Sequence, residues 1–221
     1  MIPGSFAIIG GGSGKSVNFV ASDSSSAALA SYTFTNVPLG YYDPTRIIVL
    51  SVHWFKYDTS SPLNSAIVDG VSTTSQISTV RTVAGGSGSL VYADLRTAAP
   101  TGTTGTVSLS FTRGLTYGCS IGVWALYNIG SATPVLTSIA DTGGTFAVSC
   151  QPDDLIVAAA TGVYDGSATT WVNATENFDI VTSRLLSSGA QREVFSAGDP
   201  GIDFGMNVVS ATPVGVAAVW R

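Results

Sequence analysis

The sequence predicts an all-β chain that folds as an antiparallel β-sandwich of the jelly-roll type. Short runs rich in Val, Ile, Thr and aromatic residues alternate with clusters of Gly, Pro, Asp and Ser, and helical periodicity is nearly absent. Residues 46–55 (RIIVLSVHWF) are the most apolar run and predict a central strand. Residues 107–111 (VSLSF) alternate strictly between apolar and polar, which is typical of a half-buried strand.

The remaining apolar runs predict further core strands in chain order. They are residues 121–127 (IGVWALY), 154–160 (DLIVAAA) and 213–220 (PVGVAAVW). Turn signals such as Asp69-Gly70 and Gly143-Gly144 separate the runs at intervals of about 10–20 residues. This spacing favours antiparallel hairpins over β-α-β crossovers, which need a helix between strands.

A single domain is expected, because a β-sandwich can contain all 221 residues. We predict an N-terminal arm or loop over residues 1–30 and one β-sandwich domain over residues 31–221. The halves are weakly similar: RIIVLSVHW, SAIVDGV and SIGVWALY are followed by DLIVAAATG, TTWVNATE and PVGVAAVW. Two stacked β-units that share a core would produce this similarity. Unrelated short strands of similar composition would produce it too, so both interpretations stay open.

The composition is poor in charge, and this bears on partners. Charged residues make up 10% of the chain, against about 25% in an ordinary soluble domain. Such a surface is expected where neighbouring subunits cover it, so we predict a homo-oligomer or a multi-copy component. The net charge of −5 and the lack of a Lys/Arg cluster exclude a nucleic-acid partner, which would need cations for its phosphates.

Export and membrane signals are not visible in the sequence. The N-terminal MIPGSFAIIGGGSGKS lacks the basic region and long apolar run of a signal peptide. No stretch approaches the ~18 apolar residues that a membrane span requires. We therefore expect no membrane partner and assembly in the cytoplasm.

The chain offers little for catalysis, and we predict a protein that is not an enzyme and holds no metal or cofactor. His53, the only histidine, cannot form a zinc site of several histidines, and a triad with Asp58 is disfavoured within an apolar run. Cys119 and Cys150 fit no CxxC pattern, so buried free thiols are expected, with a disulfide as the alternative. Most Asp residues occupy turns. A polysaccharide hydrolase, which needs two carboxylates across a cleft, is the least favoured alternative.

Two loops resemble ligand-binding segments without matching them. Residues 10–16 (GGGSGKS) lack the first glycine of a phosphate loop, because Ile9 stands there, and no helix-forming run follows. Residues 199–203 (DPGID) offer oxygen ligands for calcium but not the spacing of an EF-hand.

Aromatic residues near strand ends are the better indication of a binding surface. Exposed Tyr and Trp side chains can stack on sugar rings or anchor a protein interface. The predicted ligand-binding residues are Tyr41, Trp54, Tyr57, Tyr164 and Trp171. A concave sheet face lined by them would indicate a carbohydrate-binding module.

Residues 32–52 (YTFTNVPLGYYDPTRIIVLSV) resemble a recurrent segment of bacteriophage virion proteins, in which a Phe-containing strand leads through a Gly-Asp turn to an Arg and a very apolar strand. Five later pieces follow in the same order as in those proteins: GSLVYADL, GTVSLSFT, SIGVWALYNI, DDLIVAAAT and PVGVAAVW. Those proteins are jelly-roll or lectin-like sandwiches of phage or gene-transfer-agent-like particles. The resemblance implies a virion structural protein: a capsid decoration, head spike (head fibre) or tail-associated subunit that binds other capsid or tail proteins. It carries over no catalytic residue. The alternative is a receptor-recognition module that binds a host surface glycan.

Overall fold

The computed structural model describes residues 14–57, 59–83, 88–141, 144–163, 166, 168–198, 201–206 and 213–221. These residues form strands, turns and irregular segments, so the predicted all-β class is confirmed. No helix within these ranges is long and apolar enough to cross a membrane.

Seventeen strands lie in the described ranges. In chain order they are β1 Ser16–Ser25, β2 Ser31–Pro38, β3 Ile47–Lys56, β4 Leu63–Val68, β5 Val71–Ser72, β6 Thr74–Thr82, β7 Leu90–Ala98, β8 Thr104–Phe111, β9 Cys119–Tyr127, β10 Leu136–Asp141, β11 Thr145–Phe146, β12 Leu155–Val163, β13 Thr169–Val172, β14 Thr175–Thr182, β15 Leu185–Glu193, β16 Ile202–Met206 and β17 Val214–Trp220.

Strands β1 to β9 form one jelly-roll sandwich, the first sandwich. Its inner sheet has the order β1-β9-β3-β7-β6, and its outer sheet has the order β2-β8-β4-β5. The pairs β1–β9, β2–β8, β3–β7 and β4–β5 are antiparallel and nested, as in a long hairpin that has been rolled up. β5 and β6 act as one strand that passes from the outer sheet to the inner sheet.

Strands β10 to β17 repeat this arrangement as the second sandwich. Its inner sheet has the order β10-β17-β12-β15-β14, and its outer sheet has the order β11-β16-β13. Each strand of the second inner sheet therefore corresponds to one of the first: β10 to β1, β12 to β3, β14 to β6, β15 to β7 and β17 to β9. The segments whose sequences are similar in the two halves fall on corresponding strands, so stacked repeated units are the interpretation that the strand order supports.

Irregularities of the two sandwiches correspond as well. One extra residue, Gln76, bulges between β6 and β7, and one extra residue, Asn177, bulges at the corresponding position between β14 and β15. The last strands, β9 and β17, correspond less directly. Both contain a Gly-Val pair, but the pairing with β3 and β12 places Ile121, and not Gly122, at the position that corresponds to Gly215. An alignment of the two Gly-Val pairs would therefore assign every side chain of β17 to the wrong face of its sheet.

The four sheets stack as outer, inner, inner, outer. One core lies inside the first sandwich, one inside the second, and a third fills the seam, which is the contact between the two inner sheets. The inner sheets face each other with opposite strand order, so that β1 lies over β14 and β6 lies over β17. Both faces of each inner sheet are thus buried, which explains the continuous apolar sequences of β3, β9, β12 and β17.

The structure differs from the expected domain boundaries in two ways. Residues 31–221 hold two sandwiches instead of one, because a second jelly roll begins at β10. The segment 1–30 was expected to be an arm or loop, but β1 lies within it and pairs with β9 along its length. The polar sequence of β1 is compatible with a strand because β1 is at the edge of its sheet and half exposed.

Candidate binding surfaces

The loop between β2 and β3 presents two tyrosines on a fixed backbone. The Arg46 guanidinium is buried beneath it and donates to four carbonyl oxygens: those of Gly40 (3.2 Å), Tyr41 (3.0 Å), Pro100 (2.6 Å) and Gly102 (2.7 Å). Because guanidinium N–H groups have a fixed geometry, this side chain ties the β2–β3 loop to the loop before β8.

Stacking holds the first of these tyrosines. The Tyr41 and Tyr127 rings are parallel, with centroids 4.0 Å apart, and Tyr127 Oη donates to Tyr41 O at 3.2 Å. Burial raises the pKa of Tyr127 to about 12, so its hydroxyl remains a donor. Tyr41 is 51% exposed and Tyr42 is 55% exposed. This loop therefore offers a rigid aromatic surface, which we call the Tyr41 surface.

Trp54 lies in the core and not on a surface. Its indole stacks on Tyr92 with centroids 4.6 Å apart inside the first sandwich, and its Nε1 donates to Ser61 O at 2.9 Å. The side chain is almost fully buried, so no ligand reaches it in this structure.

Tyr57 lies at the opposite end of β3 from Tyr41. Its side chain is partly exposed, and its hydroxyl is 2.5 Å from that of Tyr117. The ten-residue strand β3 separates the two tyrosines, so they belong to different surfaces.

Trp171 lies on β13 in the outer sheet of the second sandwich. Its ring packs with Phe146 and Phe204, and its Nε1 donates to Ser188 Oγ at 2.8 Å. Tyr164 is outside the described residues. The predicted aromatic residues that the structure describes therefore do not line one concave face.

A serine and a histidine form a buried pair in the seam. His53 Nε2 is 3.0 Å from Ser51 Oγ, which also accepts from the Gly122 N–H at 3.0 Å. Burial lowers the pKa of His53 to about 3, so the imidazole is neutral. Both side chains are fully buried between the inner sheets.

Carboxylates and thiols are dispersed in the described ranges. No three His, Cys, Asp or Glu side chains there form a group that could hold a metal ion. Asp154 is buried and paired with Arg221 (2.9 Å), and Asp94 is paired with Arg96 (2.7 Å). Burial raises the pKa of Asp94 although Arg96 and Ser75 oppose this effect. Cys119 and Cys150 lie in two different cores and are not joined by a disulfide. Residues 199–203, which offer oxygen ligands without the spacing of an EF-hand, lie partly outside the described residues.

A groove beside Phe195 was not anticipated. Its volume is about 480 Å³, and the residues that line it include Asn173, Thr175, Gln191, Arg192 and Phe195. Phe195 is 85% exposed, more than any other large apolar side chain described. The signal was the sequence Val194-Phe195 after β15, because neighbouring residues of an extended chain point to opposite sides and Val194 is buried.

The groove and the Tyr41 surface lie at the same end of the stack. Gln191, which lines the groove, donates through Nε2 to Val17 O at 2.9 Å. Val17 is paired with Leu126, next to Tyr127, on which Tyr41 stacks.

Comparisons of this chain with protein-family models, with curated proteins and with solved structures found no match.

Proposed function

We propose that this chain is a structural subunit of a bacteriophage virion, such as a capsid decoration, a head spike or a tail-associated protein, that acts by protein–protein contacts and not by catalysis. The observation that carries the proposal is a pair of apolar positions on corresponding sheet edges. Val80 on β6 and Val181 on β14 occupy equivalent positions, and they are 51% and 45% exposed.

The two edges favour association with neighbouring chains. An edge strand carries unpaired backbone groups, and proteins that must stay separate usually protect such edges with charged residues, proline, β-bulges or short length. β6 has nine residues and β14 has eight, and neither contains lysine or proline, although each has one bulge and at least one charged residue. The part of each strand that follows the bulge and includes the exposed valine is the part that we propose pairs with a neighbour. A subunit with two similar open edges can pair laterally with copies of itself or with other virion proteins.

The burial of the reactive side chains supports a role in protein–protein contacts instead of catalysis. The groups most suited to chemistry in the described ranges, His53, Ser51 and Asp154, are buried, and the hydrogen bonds that they form are within the fold. With 10% charged residues, the surface has few groups that would oppose close packing between subunits.

The experiment is a charge substitution at both edges. We expect V80K/V181K to lower the mass of the assembled protein in sedimentation and to abolish its incorporation into particles, because each lysine would be buried without a partner at the contact. Val172→Lys is the matched control, since Val172 is equally exposed but lies on the outer sheet. Wild-type protein that is monomeric and absent from particles would contradict the proposal, and so would normal assembly of the double variant.

A glycan-recognition function drawn from the predicted aromatic set has less support. That hypothesis required Tyr41, Trp54, Tyr57 or Trp171 to share a concave face. Trp54 instead lies within a core, and Trp171 is partly buried and packs against another core.

A further inference from the structure

We propose that the groove beside Phe195 binds a neutral pyranose oligosaccharide. The proposal is independent of the virion function and rests on the exposure of Phe195 and on the polar side chains around it.

Phe195 is suited to stacking against a sugar. Leaving a Phe side chain in water forgoes roughly 1.5–3 kcal/mol of burial, part of which a stacked ligand would recover. The face of an aromatic ring is electronegative and attracts weakly positive C–H groups, which a pyranose presents on its apolar face.

The polar wall of the groove is held in place by hydrogen bonds. Arg192 Nη1 donates to Asn173 O at 2.5 Å, and Asn173 Nδ2 donates to Gly201 O at 3.0 Å. Gln191 is fixed through its Nε2 bond to Val17 O, whereas its Oε1 is buried and accepts no hydrogen bond from a described residue. A buried acceptor without a donor calls for a ligand or water hydroxyl.

The chemistry of this wall favours a neutral ligand with several hydroxyls. Guanidinium, amide and carboxylate groups each present paired donors or acceptors, which match neighbouring hydroxyls of a sugar ring. Arg192 and Glu193 have opposite charges, so the lining does not select an anion or a cation.

The shape also favours an oligosaccharide over a protein partner. The groove volume of about 480 Å³ is within the range of small-ligand sites. Energetically dominant residues of protein interfaces lie in dry, well-packed pockets, whereas the neighbours of Phe195 in the groove are mainly polar. The β6 and β14 edges proposed for assembly do not include Phe195, so both functions can coexist.

The test is binding of cellotetraose, maltotetraose and chitotetraose to the full chain, measured by saturation-transfer NMR and calorimetry. We expect at least one probe to bind, Phe195→Ala to weaken it about tenfold or more, as expected for loss of one stacked aromatic, and Phe195→Tyr to retain it. Val172→Ala, an exposed apolar truncation on the outer sheet, is the control and should bind as wild type does.

Three results would overturn the proposal: no binding of any probe, equal binding by Phe195→Ala, or loss of particle incorporation in Phe195→Ala without any sugar binding. The last result would instead assign Phe195 to a protein contact. Loss of sugar binding in Phe195→Ala with normal particle incorporation supports the sugar site. The virion proposal is then tested separately by V80K/V181K.

Discussion

The ring of Phe178, on β14 of the second sandwich, lies directly against Gly122, on β9 of the first. A Cβ at Gly122 would stand 2.3 Å from Phe178 Cε1, and one at Gly189 would stand 2.4 Å from the same atom. The ring therefore occupies space that two glycines leave open. It also stacks on Phe19, with centroids 5.7 Å apart, and contacts His53 edge-on at 6.1 Å. Phe178 is thus a main contact of the seam.

Gly122→Ala should destabilise the protein by about 1–3 kcal/mol, because the new methyl group would overlap Phe178 and crowd Ser51 Oγ. Urea unfolding measures the change. Gly114→Ala is the control, since its Cβ would meet no atom closer than 3.5 Å. Adding Phe178→Leu to Gly122→Ala should recover part of the loss, and strict additivity of the two variants would argue against the contact.

Arg46→Met should cost roughly 2–4 kcal/mol of unfolding free energy, because four carbonyl oxygens lose a charged donor in a buried place. The substitution should also release the Tyr41 surface, seen as loss of the shifted ring resonances of Tyr41 and Tyr127 in NMR. Arg113→Met, at an exposed arginine, should change stability by less than about 0.5 kcal/mol. Equal effects of the two variants would contradict the role of Arg46.

The neutral imidazole in the seam predicts a pH dependence. The pKa of His53 is about 3 in the folded protein and 6.5 when exposed, so between these values the unfolded chain binds a proton that the folded chain does not. Unfolding free energy should therefore fall as pH is lowered from 6.5 toward 3, by up to about 1.4 kcal/mol per pH unit from this group.

His53→Leu removes this contribution, and its stability should decline less steeply with acid than that of the wild type. Val52→Ala, on the same strand but not titratable, should lower stability by a similar amount at every pH. Parallel curves for wild type and His53→Leu between pH 6.5 and 4 would show that His53 is protonated in the folded state.

Arg221→Met should destabilise the protein, because Asp154 keeps its buried carboxylate but loses both bonds to the guanidinium. The loss should be smaller than for a fully buried pair, because the Arg221 side chain is 41% exposed. Adding Asp154→Asn should restore part of the stability by removing the unpaired charge. Arg184→Met is the exposed control, and a loss of equal size there would contradict the pairing argument.

Local patterns predicted the central strands because a strand that is buried on both faces has a continuous apolar sequence. The run at residues 46–55 became β3, between β9 and β7 in an inner sheet. The division into two sandwiches was harder to predict from the sequence, because it depends on which distant strands pair. β1 was missed because its edge position permits polar residues such as Ser22 and Asp23.

The candidate site was harder to predict than the fold. Trp54 is near a strand end in sequence, yet both faces of β3 are covered, so its indole is in a core. The alternation of Val194 and Phe195 indicates that one of the two side chains is exposed, but which one depends on the chain path after β15. Tyr41 and Tyr57, in contrast, are exposed beside strand ends, where the position of aromatic residues next to turns predicts them.

The most direct test of the proposed virion role is a cryo-EM reconstruction of particles purified from cells that express this chain from its native genome. We predict density for the four-layer stack in multiple copies, with β6 or β14 of each copy against a neighbouring protein chain. Particles that lack this protein, or copies whose β6 and β14 edges both face solvent, would contradict the account.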